Sequence, residues 1–532
     1  MSDTNPVWID GKWSKSSGVE VFLAVDPATG LEIAGQFPKS DWTDCDQALE
    51  AAAQAFETLQ VTPRTVISDF LKKYADLIEA NAEALAKQAS QESALPFAPR
   101  LKDVEIPRTS NQLRLAATAC IDGSWSQPTI DSALNIRSVL SALGPVLVIG
   151  PNNFPFAFNG MSGGDFAAAL AAGNPVIVKG HPNHPNTTKM LAELASNAIQ
   201  STGLPPATVQ LLYHMSPESG LRMIADRRLA SVAFTGSKSA GLSIKETCDK
   251  AGKPVYLEMS SVNPVVILPG AIEERGEALA EEFSGSCMMG AGQFCTNPGF
   301  VILCASSKTE AFIGNVVQRF GASPGGTLLA ASVRDHLAAS VTCVQKAGAQ
   351  LLVGGNAVED GGRIAFQNTV LRVSGTEFLN HPEALQTEMF GPVSMFVVVE
   401  DLLEAQAVIA QLEGNLTGTI YTSTDDRDDS AYQQMVRPLR QKVGRLLNNK
   451  MPTGVAVSLA MNHGGPYPST GHPGFTAVGI PASMKRFGAL QCYDNVRTNR
   501  LPEILQDQNP AGLAWRLIDG QWTQGDVISA KA

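Results

Sequence analysis

The chain has few cysteines for its length, and they are scattered. The eight stand at 45, 120, 248, 287, 295, 304, 343 and 492, with no CxxC pair among them. Such spacing argues against a disulfide framework and against a structural zinc site, and it fits a reducing compartment. A basic block is also missing. With 40 Lys+Arg against 51 Asp+Glu the net charge is −11, which leaves no electrostatic footprint for nucleic acid or an anionic membrane surface. Long apolar runs are absent too. The stretch from Val139 to Ile149 is interrupted by Gly144-Pro145, and no run reaches the ~18 residues that a bilayer span requires. Met1-Ser2-Asp3-Thr4-Asn5-Pro6 has no basic segment leading into an apolar core, so it does not read as a secretory signal. The expectation is a soluble, cytoplasmic protein. Neither a GxGxxG fingerprint nor a Walker loop marks a phosphate site.

What is present is ordinary globular material in quantity. The 532 residues, 44% hydrophobic and 17% charged, suggest two to three domains. Residues 44–60 and 64–91 are Ala/Leu-rich with helical spacing, broken near Thr62-Pro63. Residues 119–137 read as strands or an irregular arm. From 138 onward strands and helices alternate: strands at Ser138–Ile149, Pro175–Lys179, Val209–Tyr213, Ser231–Thr235 and Pro254–Leu257, with helices between them. That alternation predicts a parallel sheet with crossover connections. A second alternating region begins near 264, and residues 450–482, rich in Gly, Pro, Ser and Thr, read as ordered loop. Ile-Asp-Gly at 9–11 and again at 518–520, each two residues before a Trp, reads as hairpin chemistry.

Six segments carry chemistry. Gly292-Gln293-Phe294-Cys295-Thr296-Asn297-Pro298-Gly299 sets one cysteine between glycines and a proline turn. An exposed thiol cradled by backbone N–H groups suits attack on a carbonyl, although most free cysteines are small buried hydrophobes. Gly150-Pro151-Asn152-Asn153-Phe154-Pro155 follows a strand and can project a neutral amide donor towards an oxyanion; an Asx turn is the bland alternative. Lys179, in Val176-Ile177-Val178-Lys179-Gly180-His181-Pro182, stands at the carboxyl end of a strand, where nucleotides bind. His181 and His184 lack metal-site spacing and read as loop residues. Phe234-Thr235-Gly236-Ser237 joins a strand to a helix whose N-terminus can face a phosphate. Leu257-Glu258 ends an apolar strand with a carboxylate suited to general-base work. Glu388 and Phe390, in Gln386-Thr387-Glu388-Met389-Phe390-Gly391-Pro392, precede another buried strand, where a carboxylate can bind ribose hydroxyls or merely occupy a surface turn.

In their order along the chain these segments resemble the aldehyde dehydrogenase superfamily, over roughly residues 8 to 500. Lys179-Gly180-His181-Pro182, the Gly292–Gly299 run, Arg108-Thr109-Ser110-Asn111-Gln112-Leu113-Arg114 and Gly464-Gly465-Pro466-Tyr467-Pro468-Ser469-Thr470 are similar to the bacterial branch that holds α-ketoglutaric semialdehyde dehydrogenase and the fatty aldehyde dehydrogenase of luminous bacteria. The resemblance implies that Cys295 is a nucleophile forming a thiohemiacetal, that Asn153 with the Cys295 N–H holds the oxyanion, and that Glu258 activates the hydrolytic water. It implies that Lys179 and Glu388 touch the cofactor's riboses, that Gly236 and Ser237 lie by its pyrophosphate, and that Phe390 packs near the nicotinamide ribose. Two departures stand out. The family's usual Leu-Glu-Leu-Gly-Gly-Lys becomes Leu-Glu-Met-Ser-Ser-Val, adding side chains at Ser260 and Ser261. Pro182 replaces the acid that many NAD-preferring members carry, which leans towards NADP, or towards use of both NADP and NAD. No metal is implied.

The resemblance implies an α/β fold: a Rossmann-type cofactor domain from 1–116 and 138–258, an α/β catalytic domain over 259–457, and a small β oligomerisation arm with a C-terminal segment from 117–137 and 458–532. An arm of strands leaves open edges that a second copy would cover, so a homodimer or homotetramer is expected. Glu258 favours hydrolysis over transfer to CoA, and the surviving set of site residues argues against a non-enzymatic binding protein. Two substrate classes stay open. A semialdehyde acid would use arginines such as Arg100, Arg108 or Arg114. A long-chain aldehyde would use an apolar tunnel lined by Phe154, Phe156, Phe158 and Phe475.

Overall fold

The computed structural model of the protein describes residues 4–528. Two seven-stranded sheets form its framework, and their strands are labelled β1–β12 in chain order. The first sheet contains β1 (Val146–Ile149), β2 (Val176–Lys179), β3 (Val209–Leu212), β4 (Ser231–Thr235) and β5 (Val255–Glu258), all parallel and ordered β5-β4-β1-β2-β3. The Val7–Ile9/Lys12–Ser14 hairpin closes it beside β3. These strands are almost wholly buried Val, Ile, Leu and Phe, as a sheet covered on both faces requires. The order turns back on either side of β1, and at such a switch point ligands bind beyond the carboxyl ends.

The second sheet holds β6 (Pro264–Ile267), β7 (Phe300–Cys304), β8 (Gln350–Val353), β9 (Thr369–Ser374), β10 (Val393–Val399), β11 (Asn415–Tyr421) and β12 (Val443–Asn448), ordered β8-β9-β10-β7-β6-β11-β12. Only β8 runs antiparallel to its neighbour. A five-stranded sheet stands apart, built from Thr129–Asp131, Ile136–Ala142, Gly488–Asp494, Arg516–Ile518 and Gln521–Thr523. It has its own small core around Ile130, Val139, Leu505 and Ile518.

The run 138–149, expected as one strand, is two. Ile136–Ala142 pairs with Gly488–Asp494 in the five-stranded sheet, while β1 begins at Val146. Gly144 at φ +130° followed by Pro145 turns the chain between the two sheets, since proline has no N–H to continue a ladder. The arm's strands therefore run to Ala142 rather than stopping at 137. The helix expected over 64–91 is broken at Asn81 into Arg64–Ala80 and Ala82–Ser93. Both Ile-Asp-Gly repeats are two-residue hairpins: Ile9 pairs with Lys12 and Ile518 with Gln521. Asp10, Gly11, Asp519 and Gly520 all have positive φ, as a type I′ turn demands.

Candidate active site

The ends of the first sheet gather the residues. Asn153 lies in the turn after β1, Lys179 ends β2, Gly236 and Ser237 follow β4, and Glu258 ends β5. Across the cleft the second sheet's loops contribute Cys295, before β7, and Glu388 and Phe390, before β10.

The Cys295 loop is bent by three successive left-handed residues, Gly290 (φ +56°), Ala291 (φ +55°) and Gly292 (φ +68°). A Cβ on Gly292 would come 2.0 Å from the Gly391 carbonyl, so glycine is needed there for both conformation and space. Asn263 fastens the far side, its Nδ2 donating to the carbonyls of Cys295 and Asn297, each at 2.9 Å. Cys295 is partly exposed. Burial of its sulfur and the nearby Glu258 carboxylate push the thiol well above its ordinary range, so it is protonated at rest.

One residue absent from the sequence expectations completes this centre. Nε2 of His463 lies 3.4 Å from Cys295 Sγ and 3.1 Å from Glu258 Oε1, with imidazole and carboxylate both buried. His463 sits in the stretch from 449 to 481, which has no helix or strand. This stretch does not follow the C-terminal arm but threads between the two domains. It is clamped there by close backbone approaches: a Cβ on Gly444 would meet the Gly464 carbonyl at 1.6 Å. Further on, Thr470 bridges to Glu258, and the Met259 and Gly471 N–H groups donate to Ser469 and Leu257. The ladder thus fixes Glu258 from both sides. The signal available in sequence was the position of His463 directly before Gly464-Gly465-Pro466, a run already singled out.

Asn153 is buried, and its Nδ2 donates to the Gln293 carbonyl at 3.0 Å, two residues before Cys295. An amide N–H₂ has a second hydrogen to offer. The turn that presents it is held by Glu105, which is fully buried. Its Oε1 accepts the N–H groups of Phe156 and Ala157, both at 2.9 Å, and its Oε2 pairs with Arg100.

The three arginines considered for a substrate carboxylate separate. Arg114 is ion-paired with Asp76 and Glu79 on the neighbouring helix, a surface role. Arg100 is engaged by Glu105 and donates to the Asn153 carbonyl at 3.2 Å. Arg108 has its Nε on Gln112 Oε1 at 3.3 Å, whereas its Nη2 is buried without a partner. Its guanidinium packs 5.6 Å from the Phe154 ring and 5.4 Å from Phe158, near enough for its charge to favour a thiolate at Cys295. Of the four phenylalanines expected to line a tunnel, only Phe154 and Phe158 cluster at this mouth, with Phe294; Phe156 and Phe475 belong to the main core.

The residues around Lys179 fit a dinucleotide. Its ammonium has no ion-pair or hydrogen-bond partner among the described residues, and burial lowers it to about 8. Ser237 caps the helix Lys238–Lys250 by accepting the Ala240 N–H, leaving the first turn open to an anion. The missing Cβ of Gly236 matters because the Phe234 ring would lie 2.7 Å from it. Glu388 accepts the Ser261 N–H at 3.2 Å and lines a narrow cleft with Phe390, Ser261, Gly292 and Phe294. Burial raises the Glu388 carboxyl. The Ser261 hydroxyl turns away towards Asn263 and Asn415, 3.0 and 3.1 Å distant, into the joint between the domains.

A thiol, an imidazole, a carboxylate and an amide donor around one point, beside a nucleotide-type sheet edge, define an oxidoreductase acting on carbonyl substrates. The chain belongs to the aldehyde dehydrogenase family, whose profile matches residues 13–479, and it is an NAD(P)-dependent aldehyde oxidoreductase. It is similar to α-ketoglutaric semialdehyde dehydrogenase 2 of Azospirillum brasilense, at 36% identity over 94% of this chain and 95% of the relative. It is also similar to the α-ketoglutaric semialdehyde dehydrogenase of Acinetobacter baylyi, at 34% identity over 92% and 93%. Among solved structures, a 1-pyrroline-5-carboxylate dehydrogenase shares the fold with a TM-score of 0.80 at 23% identity, covering 92% of each chain.

Proposed function

We propose that the protein oxidises an aldehyde carrying a carboxylate at its far end, α-ketoglutaric semialdehyde being the candidate that its relatives suggest, to the corresponding acid. The observation that carries this reading is Arg108: a half-buried guanidinium whose Nη2 is enclosed without a partner, packed over Phe154 and Phe158 at the mouth. Such a donor is expensive to leave unmet, and a carboxylate satisfies it by a charge-assisted pair.

In this reading Cys295 attacks the aldehyde. The thiol is protonated at rest, so its proton must move. With the imidazole proton on Nδ1, the lone pair of His463 Nε2 accepts from Sγ, and the imidazolium then loses a proton to solvent, so that Glu258 stays ionised for the later water step. Asn153 Nδ2 and the Cys295 N–H hold the oxyanion of the thiohemiacetal. A nicotinamide cofactor, when bound, would supply the hydride acceptor for this oxidation. Glu258, whose Oε2 is buried without a partner, takes a proton from the water that cleaves the resulting thioester.

For the cofactor we infer NADP. Lys179 and, on the strand neighbouring His214, Lys39 are both close enough to lower the charge of His214. Among the described residues no carboxylate contributes to the charge state of Lys179 or His214; Glu20 is engaged by Lys39. A 2′-phosphate would find cations there rather than an acid. Glu388, Phe390, Gly236 and Ser237 are assigned to the ribose, nicotinamide and pyrophosphate ends. We further infer a homo-oligomer in the cytoplasm. Two unpaired strand edges, at β12 and Gly488–Asp494, and eight free cysteines support this.

The test compares ω-carboxyl with aliphatic aldehydes on wild type and Arg108→Leu. The reading expects KM for the carboxyl substrate to rise about 10–100-fold, the loss of one charge-assisted pair, with aliphatic aldehydes little affected. The Phe154–Phe158–Phe294 cluster favours the second reading, a long-chain aldehyde. Preference for long aliphatic substrates, untouched by the substitution, would establish it instead.

A further inference from the structure

The side chains that meet at the catalytic centre are also a set of metal ligands. Cys295 Sγ lies 3.4 Å from His463 Nε2, which lies 3.1 Å from Glu258 Oε1, and all three atoms fall within 4.8 Å of one another. Tetrahedral zinc, bonded at ~2.3 Å to sulfur and ~2.0–2.1 Å to nitrogen or oxygen, spaces such ligands roughly 3.3–3.6 Å apart. Two of the three separations are therefore close to what the ion needs. The third closes when the carboxylate turns, and its other oxygen has no partner to release. We propose that Cys295, His463 and Glu258 form an inhibitory Zn²⁺ site, in which the metal replaces the thiol proton and blocks the sulfur from the aldehyde.

Charge and softness both select this ion. Thiolate and carboxylate carry one negative charge each and the imidazole is neutral, so a divalent cation leaves the buried cluster neutral. Without the metal the two anions repel, and that repulsion is part of what keeps the thiol protonated. The sulfur and imidazole ligands favour zinc over magnesium or calcium, which take oxygen. Cys295 is partly exposed, which gives the ion an entry path and leaves a fourth position for water. Arg108 opposes the added charge and limits the affinity. The step is an exchange without redox: Cys–SH and aqueous Zn²⁺ give Cys–S–Zn and release one proton. Loss of turnover rests on reading Cys295 as the nucleophile; metal binding does not.

The experiment loads the full-length protein with Co²⁺ as a visible stand-in, then displaces it with Zn²⁺, and measures turnover with zinc and after EDTA. The result expected is one thiolate-to-cobalt absorption band per chain with tetrahedral d–d bands. Zinc should suppress turnover, EDTA should restore it, and Mg²⁺ should have no effect. Cys295→Ser should lose the band. His463→Asn, checked for folding by thermal melting and nucleotide binding, should weaken cobalt binding at least about tenfold. A band that persists in Cys295→Ser, or equal affinity in His463→Asn, overturns the site. A band that forms while zinc leaves turnover unchanged overturns the inhibition and, with it, the nucleophile assignment.

Discussion

Cys295 and Glu258 act on each other in opposite senses before and after the chemistry. The carboxylate raises the thiol, so removing its charge lowers the thiol pKa and increases thiolate at neutral pH. Glu258→Gln should therefore be alkylated by iodoacetamide at Cys295 faster than wild type, while steady-state turnover falls about 10²–10⁴-fold for want of the base; peptide mapping and reduced-nicotinamide absorbance measure the two. Wild-type alkylation should climb as pH rises, because the reacting form is the thiolate. Lys179 gives the opposite slope. Its charged form is held below about 8, and the imidazoles beside it, His181, His184 and His214, are pushed down by burial and stay neutral near pH 7. NADP affinity, followed by fluorescence titration, should weaken as pH passes upward through about 8. Lys179→Met should flatten that dependence.

Loops and strand ends, rather than helices, decide the site. Most parallel strands could be read from apolar runs bounded by turn residues, and the placement of Glu258, Lys179 and Gly236 at strand ends was legible because each stands where such a run stops. The Cys295 loop was legible through its glycines, and Gly292 shows why they are there. Gly292→Ala would add a Cβ 2.0 Å from Gly391 O at φ +68°. It should destabilise the protein by about 2–4 kcal/mol, read as a fall in Tm. His463 stood beside a run that drew notice, but its partners were not legible, because a loop without periodicity carries no pattern to say where it returns, and they are 168 and 205 residues away in sequence. Arg108 was one of three equivalent arginines in sequence. Only packing, with Glu105 claiming Arg100 and the surface acids claiming Arg114, separates it.

At the scale of the whole molecule, the cleft exists because two sheets present their strand ends and loops to each other, with the 449–481 segment threaded between them. The split of 138–149 falls at Gly144-Pro145, a break visible in the sequence, but nothing there showed that Ile136–Ala142, as strand-like as β1, serves another sheet. The edge strand Gly488–Asp494 exposes Leu490 at 71%. Unpaired edges are normally covered, so Leu490→Lys should weaken self-association in sedimentation velocity while leaving the monomer folded. The central claim joins the domains: a thiol from one and a carboxylate from the other complete a single reaction. It is tested most directly by mixing Glu258→Gln with NADP and an ω-carboxyl aldehyde and locating any acyl adduct by mass spectrometry. The account predicts a near-stoichiometric thioester on Cys295, with reduced nicotinamide formed in a burst and little thereafter. No adduct, or one on another cysteine, would contradict it.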